Sequence, residues 1–145
     1  MNKRILALLL AAVLLLAVGC GGSEKILSTE GVPQEVLQSA QYKAALAEET
    51  ATVIAYNYVP LTDSAPVRAA VEKMQAGEDA ELRYYNFHDR NDIQGIAGVR
   101  LTVKDGVAAF QEASLTGYDG TVDWENVLYQ QAGEIELNSC GYLSF

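Results

Sequence analysis

The chain is poor in positive charge. Ten Lys and Arg stand against nineteen Asp and Glu, a formal net charge of −9 over 145 residues. So acidic a surface repels phosphate backbones, which excludes nucleic acid as an expected partner. Histidine occurs once, at His88, so a zinc site would have to be built from carboxylates and a thiol. No Gly-x-Ser-x-Gly elbow presents a serine nucleophile. The glycine pairs Gly21-Gly22 and Gly117/Gly120 lack the strand-to-helix setting and the Lys that cradle a nucleotide phosphate. Internal repeats and low-complexity tracts are missing, and beyond residue 18 there is no long apolar run. No cofactor and no metal are expected on these grounds.

That one apolar run opens the chain. Lys3 and Arg4 precede Ile5–Val18, ILALLLAAVLLLAV, and no acidic residue appears before Glu24. Fourteen apolar residues match the hydrophobic region of a secretory signal and fall short of the roughly 20 that cross a bilayer. The run ends Ala17-Val18-Gly19-Cys20. This resembles the lipobox of bacterial prolipoproteins, with Ala17 where Leu is commonest. The resemblance covers residues 1–20. It implies diacylglycerol on the Cys20 sulfur, cleavage before Cys20 and acylation of the new amino group. Two or more acyl chains give stable anchoring where one gives only marginal binding. The expected localisation is the extracytoplasmic side of a cell membrane, held by lipid on Cys20.

Removal of residues 1–19 leaves 126 residues, which suits one domain. Eight basic residues then face nineteen acidic ones, a net charge of −11. With Cys20 lipidated, Cys140 has no internal disulfide partner and is expected to be buried as a small hydrophobe, the alternative being a site of intermolecular pairing. Residues 20–32 read as a short polar tether and 33–145 as a single domain.

Pro33–Glu49 is expected to form one helix with Val36, Leu37, Ala40, Ala44 and Ala47 along a stripe. Thr50–Val59, rich in β-branched and aromatic residues, is expected to be a strand ended by Pro60. Ser64–Gln75 reads as a helix capped by Ser64 and stopped by Gly77, with Val67, Ala70, Val71 and Met74 at helical spacing. Ala80–Phe87 alternates as a strand, with Leu82 and Tyr84 on one face and Arg83, Tyr85 and Phe87 on the other. His88–Gly98 reads as a polar loop. Val99–Val103 and Val107–Leu115 form a hairpin whose Asp105-Gly106 turn requires φ > 0. Val122–Gln131 fits a short helix opening at Asp123 or an irregular strand. Two short terminal strands follow. The expected class is α+β: one or two helices on a mostly antiparallel sheet of about five to six strands.

Two constellations attract a functional reading. His88, Asp89 and Asp92 lie in the densest polar cluster, and a histidine oriented by a carboxylate can move protons near neutral pH. The spacing fails the calcium-loop template, because Ile93 and Gln94 fall where an oxygen ligand and Gly are wanted. Eight tyrosines outnumber three phenylalanines and one tryptophan. Tyr56, Tyr58, Tyr84 and Tyr85 fall on two expected strands, and with Trp124 they form a candidate surface for a protein, peptide or glycan. Trp124 is flanked by Asp123 and Glu125, which suit a helix start better than a catalytic acid pair. The expectation is a lipid-anchored, non-catalytic binding or interaction module. The alternatives are a small hydrolase or metal-dependent enzyme centred on His88, Asp89 and Asp92, and an accessory subunit of an envelope complex.

Overall fold

The computed structural model describes residues 26–131, 136–137 and 143–144. The expectations for the signal, for Cys20 and for Cys140 lie outside the described residues. The fold is α+β, with two main helices packed on a mixed, mostly antiparallel sheet. Helices α1 (Gln34–Gln38) and α2 (Ala40–Ala47) lead into strand β1 (Ala51–Tyr56) and the two-residue β2 (Val59–Pro60). Helix α3 (Ala65–Gln75) crosses to β3 (Ala80–Arg90), and β4 (Ile93–Lys104) and β5 (Val107–Thr116) complete a meander. After a single 3₁₀ turn at Trp124–Asn126 come β6 (Gln130–Gln131), β7 (Glu136–Leu137) and β8 (Leu143–Ser144). The sheet order is β2-β1-β3-β4-β5-β6, and β7 pairs separately with β8.

Among the described residues the one parallel pair, β1 with β3, lies inside the sheet and is joined through α3. Such a pair requires a crossover, and the 11-residue helix supplies it. Alternation along β3 then creates two cores. Ile54, Tyr85, Phe87 and Ile96 meet Val36, Tyr42 and Ala45 of α1 and α2 on one face, closed over by Tyr118, Val122 and Trp124. Leu82, Leu101 and Val103 meet Ala70, Val71 and Met74 of α3 on the other. The α3 stripe is the expected one. Its first turn is capped differently, since Asp63 Oδ1 accepts the Ala65 N–H at 2.9 Å while Ser64 makes no side-chain cap bond.

Four expectations need correction. The single helix over 33–49 is broken at Ser39, whose ψ of 152° is extended. The Ser39 hydroxyl donates to Val36 O at 2.8 Å and accepts the Tyr42 N–H at 3.2 Å, so it ends one helix and caps the next. The break re-aims the second helix. Tyr42 and Ala45 are buried in place of Ala40 and Ala47, which burial of a large aromatic ring favours. The strand over 50–59 turns back at Asn57-Tyr58, both at positive φ, and Pro60 sits in the returning edge strand. The polar loop over 88–98 is a hairpin: β3 runs to Arg90, Asn91 and Asp92 take positive φ, and β4 begins at Ile93. Residues 26–32 are not all tether, because Ile26 bridges to Thr62, Leu27 N–H donates to Leu61 O at 2.7 Å and Val32 is buried.

The segment after residue 121 resolves as the short-helix alternative followed by β6. Asp123 caps the turn by accepting the Glu125 N–H at 3.1 Å, the helix-start role expected of it.

The Ser39→Ala variant removes both bonds of the hinge hydroxyl. Its loss is expected to cost about 1–2 kcal/mol, read as a lowered urea midpoint with unchanged slope.

Candidate functional site

The cross-strand register places Arg83 directly opposite Arg100 on the face that carries Tyr85 and Phe87. Like charges facing each other destabilise a sheet unless they are matched. Glu81, two residues before Arg83 on the same face, matches both. Its Oε1 takes Arg83 Nε at 2.8 Å and Arg100 Nε at 2.9 Å, while Oε2 takes Arg100 Nη2 at 2.9 Å. Arg83 Nη1 continues to Glu48 Oε1 at 2.9 Å. Glu48 is the residue at which α2 ends, and it also accepts from the Tyr85 hydroxyl at 2.7 Å and from Thr52 Oγ1 at 2.9 Å. The Trp124 indole N–H donates to the Tyr85 hydroxyl at 3.0 Å. Gln111, fully buried, donates to Trp124 O at 2.8 Å and to Val127 O at 2.6 Å, and its Oε1 receives Arg100 Nη1 at 3.3 Å. The chain of contacts closes on itself. It ties α2, β1, β3, β4, β5 and the 124–127 segment into one polar circuit.

The electrostatics follow the contacts. Burial alone would raise the Glu81 carboxyl, but the hydrogen bonds and charges of Arg100 and Arg83 outweigh it and hold the carboxyl below its ordinary value. Tyr85 is pushed up to about 12, first by burial and then by its bond to Glu48. Tyr118 is likewise pushed up to about 12 by burial, aided by the charges of Tyr56, Asp89 and Glu35. Beside the circuit, Glu48, Glu49, Thr50, Ala51, Thr52, Asp63 and Pro66 line an open acidic cleft of about 500 Å³.

Of the tyrosine surface expected from sequence, Tyr85 and Trp124 are brought together, but inside the core. Tyr56 is half-buried beside them on the same face. Tyr84 takes the opposite face of β3, and Tyr58 sits in the turn after β1, 57 % exposed. The five therefore share no surface.

His88, Asp89 and Asp92 do not converge either. His88 projects on the Tyr84 face, where its ring lies against Gly95; a Cβ on Gly95 would stand 2.8 Å from His88 Cε1, so no larger residue fits. Asp89 alternates to the other face and Asp92 occupies the turn. Among the described residues, no three His, Cys, Asp or Glu side chains form a metal-binding group.

What these positions do share is one end of the sheet. The two positive-φ turns, 57–58 and 91–92, stand side by side. Asn57 Oδ1 accepts the Asp89 N–H at 3.1 Å, Asn86 Oδ1 accepts the Tyr58 N–H at 2.8 Å, and Asn57 N–H donates to Phe87 O at 2.8 Å. The Arg90 guanidinium lies over the Tyr58 ring, 4.6 Å from its centroid. Ile93 beside it is 62 % exposed. An aromatic ring, a cation and an aliphatic side chain thus project from two turns joined by hydrogen bonds. Sequence reasoning found Tyr58 but missed Arg90 and Ile93, because it placed both in a loop. It also missed Glu48, Glu81, Arg100 and Gln111. The available signal was the alternation that put Arg83 and Tyr85 on one face, which extends back to Glu81.

Two outcomes follow. The folded value of Glu81 lies below its unfolded one, so its ionised form stabilises the fold above the ordinary value of 4.5, and that contribution is lost as pH falls through the folded value. The Glu81→Gln variant should lose about 1–2 kcal/mol at pH 7 and progressively less at acid pH, measured by urea denaturation. At the other extreme, raised tyrosines favour the fold below their unfolded value of 10.0, and that contribution is lost as pH rises toward about 12. Absorbance titration should show a late phenolate step accompanied by unfolding, reduced in amplitude by the Tyr85→Phe variant.

Comparison of the chain with protein-family models, with curated proteins and with solved structures finds no match. What this protein does must therefore be read from its own residues.

Proposed function

We propose that the chain is a lipid-anchored, extracytoplasmic binding module that uses the paired hairpin tips to engage a protein, peptide or glycan of the cell envelope. The exposed Tyr58–Arg90 stack with Ile93 beside it is the observation that carries the reading. Aromatic and Arg side chains supply much of the binding energy at protein interfaces, and here the turns hold them in place before any partner arrives. The polar circuit supports the same view. Its carboxylates, guanidinium groups and hydroxyls are spent on one another, an arrangement that stiffens a scaffold. The lipobox-like segment supplies the anchor, through acyl groups on Cys20. Membrane lipid and an envelope ligand are then the two partners.

Mass spectrometry of the mature protein should find Cys20 at the N-terminus with added acyl mass, and the Cys20→Ser variant should leave the membrane fraction. A photoreactive side chain at position 58 or 93 should cross-link a discrete envelope component in cells, while one at Glu112 on the exposed part of β5 should not. Equal labelling from all three positions would remove the tip as the binding surface.

A further inference from the structure

We propose that the outer edge of the sheet, where β2 is the last strand among the described residues, rests against the lipid bilayer, so that the anchor and this edge hold the domain in a fixed orientation. The proposal rests on the lipoprotein reading above. Its basis is an apolar strip where a charged one is expected. Edge strands of soluble proteins are usually guarded by charged side chains, because their open hydrogen-bonding groups invite other chains. Here residues 26–29, ILST, and 59–62, VPLT, carry no charge at all, in a protein with 20 % charged residues and an excess of acids. The two segments are neighbours through the Ile26–Thr62 bridge and the Leu27–Leu61 hydrogen bond. Along them Ile26, Leu27 and Val59 are 41 %, 63 % and 64 % exposed.

The length of chain before this edge selects its occupant. Ile26 lies six positions after Cys20, and six residues span at most about 20 Å even when fully extended. A lipid on Cys20 therefore keeps the strip within reach of the headgroup region. The contact is intramolecular once the anchor is inserted, so a patch too small to bind a bilayer unaided works at an effective concentration of roughly millimolar. Lack of charge on the strip suits it to the interface, while the acidic remainder of the domain is repelled from anionic headgroups. Lying on this edge, the sheet runs its strands along the membrane surface. The Tyr58–Arg90 tip then faces sideways, toward other proteins in the same membrane.

The test uses the full mature, lipidated protein in phosphatidylcholine vesicles, with Cys140→Ser removing the second thiol. An environment-sensitive nitrobenzoxadiazole label is placed on the Leu27→Cys variant, on Val59→Cys, or on Ser114→Cys in the exposed part of β5. Labels at 27 and 59 should be blue-shifted and reduced by dithionite about threefold or more slowly than the label at 114, the behaviour of groups seated in the interface. Identical behaviour at all three sites, in protein whose mass carries acyl chains, overturns the membrane contact while leaving the lipoprotein reading intact. Absence of acyl mass overturns both. A blue shift at 27 that grows with concentration in the unlipidated Cys20→Ser chain, without vesicles, assigns the edge to a second copy and overturns the proposal.

Discussion

Arg83 and Arg100 stand directly opposite each other on neighbouring strands, and this repulsive pairing is tenable only because carboxylates hold it from two sides. Glu81 clamps both arginines from within β3. Glu48 approaches from the end of α2 and thereby fixes where that helix can lie. The same carboxylate captures the Tyr85 hydroxyl, which receives the Trp124 indole, and the 124–127 carbonyls in turn orient Gln111 back toward Arg100. A helix, the strands and a loop that meet in one apolar core are thus also held in position by one polar circuit, most of whose bonds are charge-assisted. Such bonds are shorter and stronger than neutral ones, and they are directional where apolar packing is not. The apolar cores on the two faces supply cohesion, and the circuit supplies registration.

That division explains the shape of the candidate surface. With the middle of the sheet locked, β3 and β4 extend past it and close in a two-residue turn beside the turn after β1. Tyr58 takes a φ of 67°, unusual for an aromatic residue, and is held there by its hydrogen bond to Asn86 and by Arg90 above its ring. Strain of this kind persists where the surroundings over-determine it, and it places the ring outside the core. Tyr85, only slightly displaced along the same sheet, is given over wholly to structure.

The parts of this architecture that were legible in the sequence are those governed by local chemistry. The stripe Val67, Ala70, Val71 and Met74 specifies α3, and Asp105-Gly106 specifies the β4–β5 turn, because periodicity and a glycine at positive φ act within a few residues. The other two turns were hidden because Asn57-Tyr58 and Asn91-Asp92 reach positive φ without glycine, the first of them with side-chain bonds to Asp89 and Asn86, distant in sequence. The hinge at Ser39 was hidden because the alanines around it fit a continuous helix equally well, and only the burial of Tyr42 decides between the two. The polar circuit depends on the register of β3 against β4 and β5, so no window of sequence contains it. Gln111 gives no sign in the sequence that it is fully buried. The lipobox-like segment is a different kind of reading, a resemblance confined to twenty consecutive residues and independent of tertiary context.

The parallel pairing of β1 with β3 also has a kinetic side. Ala51 pairs with Leu82, about thirty residues later, whereas β3, β4 and β5 pair with their immediate neighbours across turns of two residues. Local hairpins close quickly, and distant strands must first meet the entropy of a long loop. The β3–β5 meander is therefore the natural first-formed part, and β1 docks onto it late, bringing α2 and Glu48. Until it does, Val53, Ile54 and Ala55 have no sheet to join, and Arg83 lacks its second carboxylate. The same strand that unites the two faces of the finished molecule is the one whose delay leaves the chain open to aggregation while it folds.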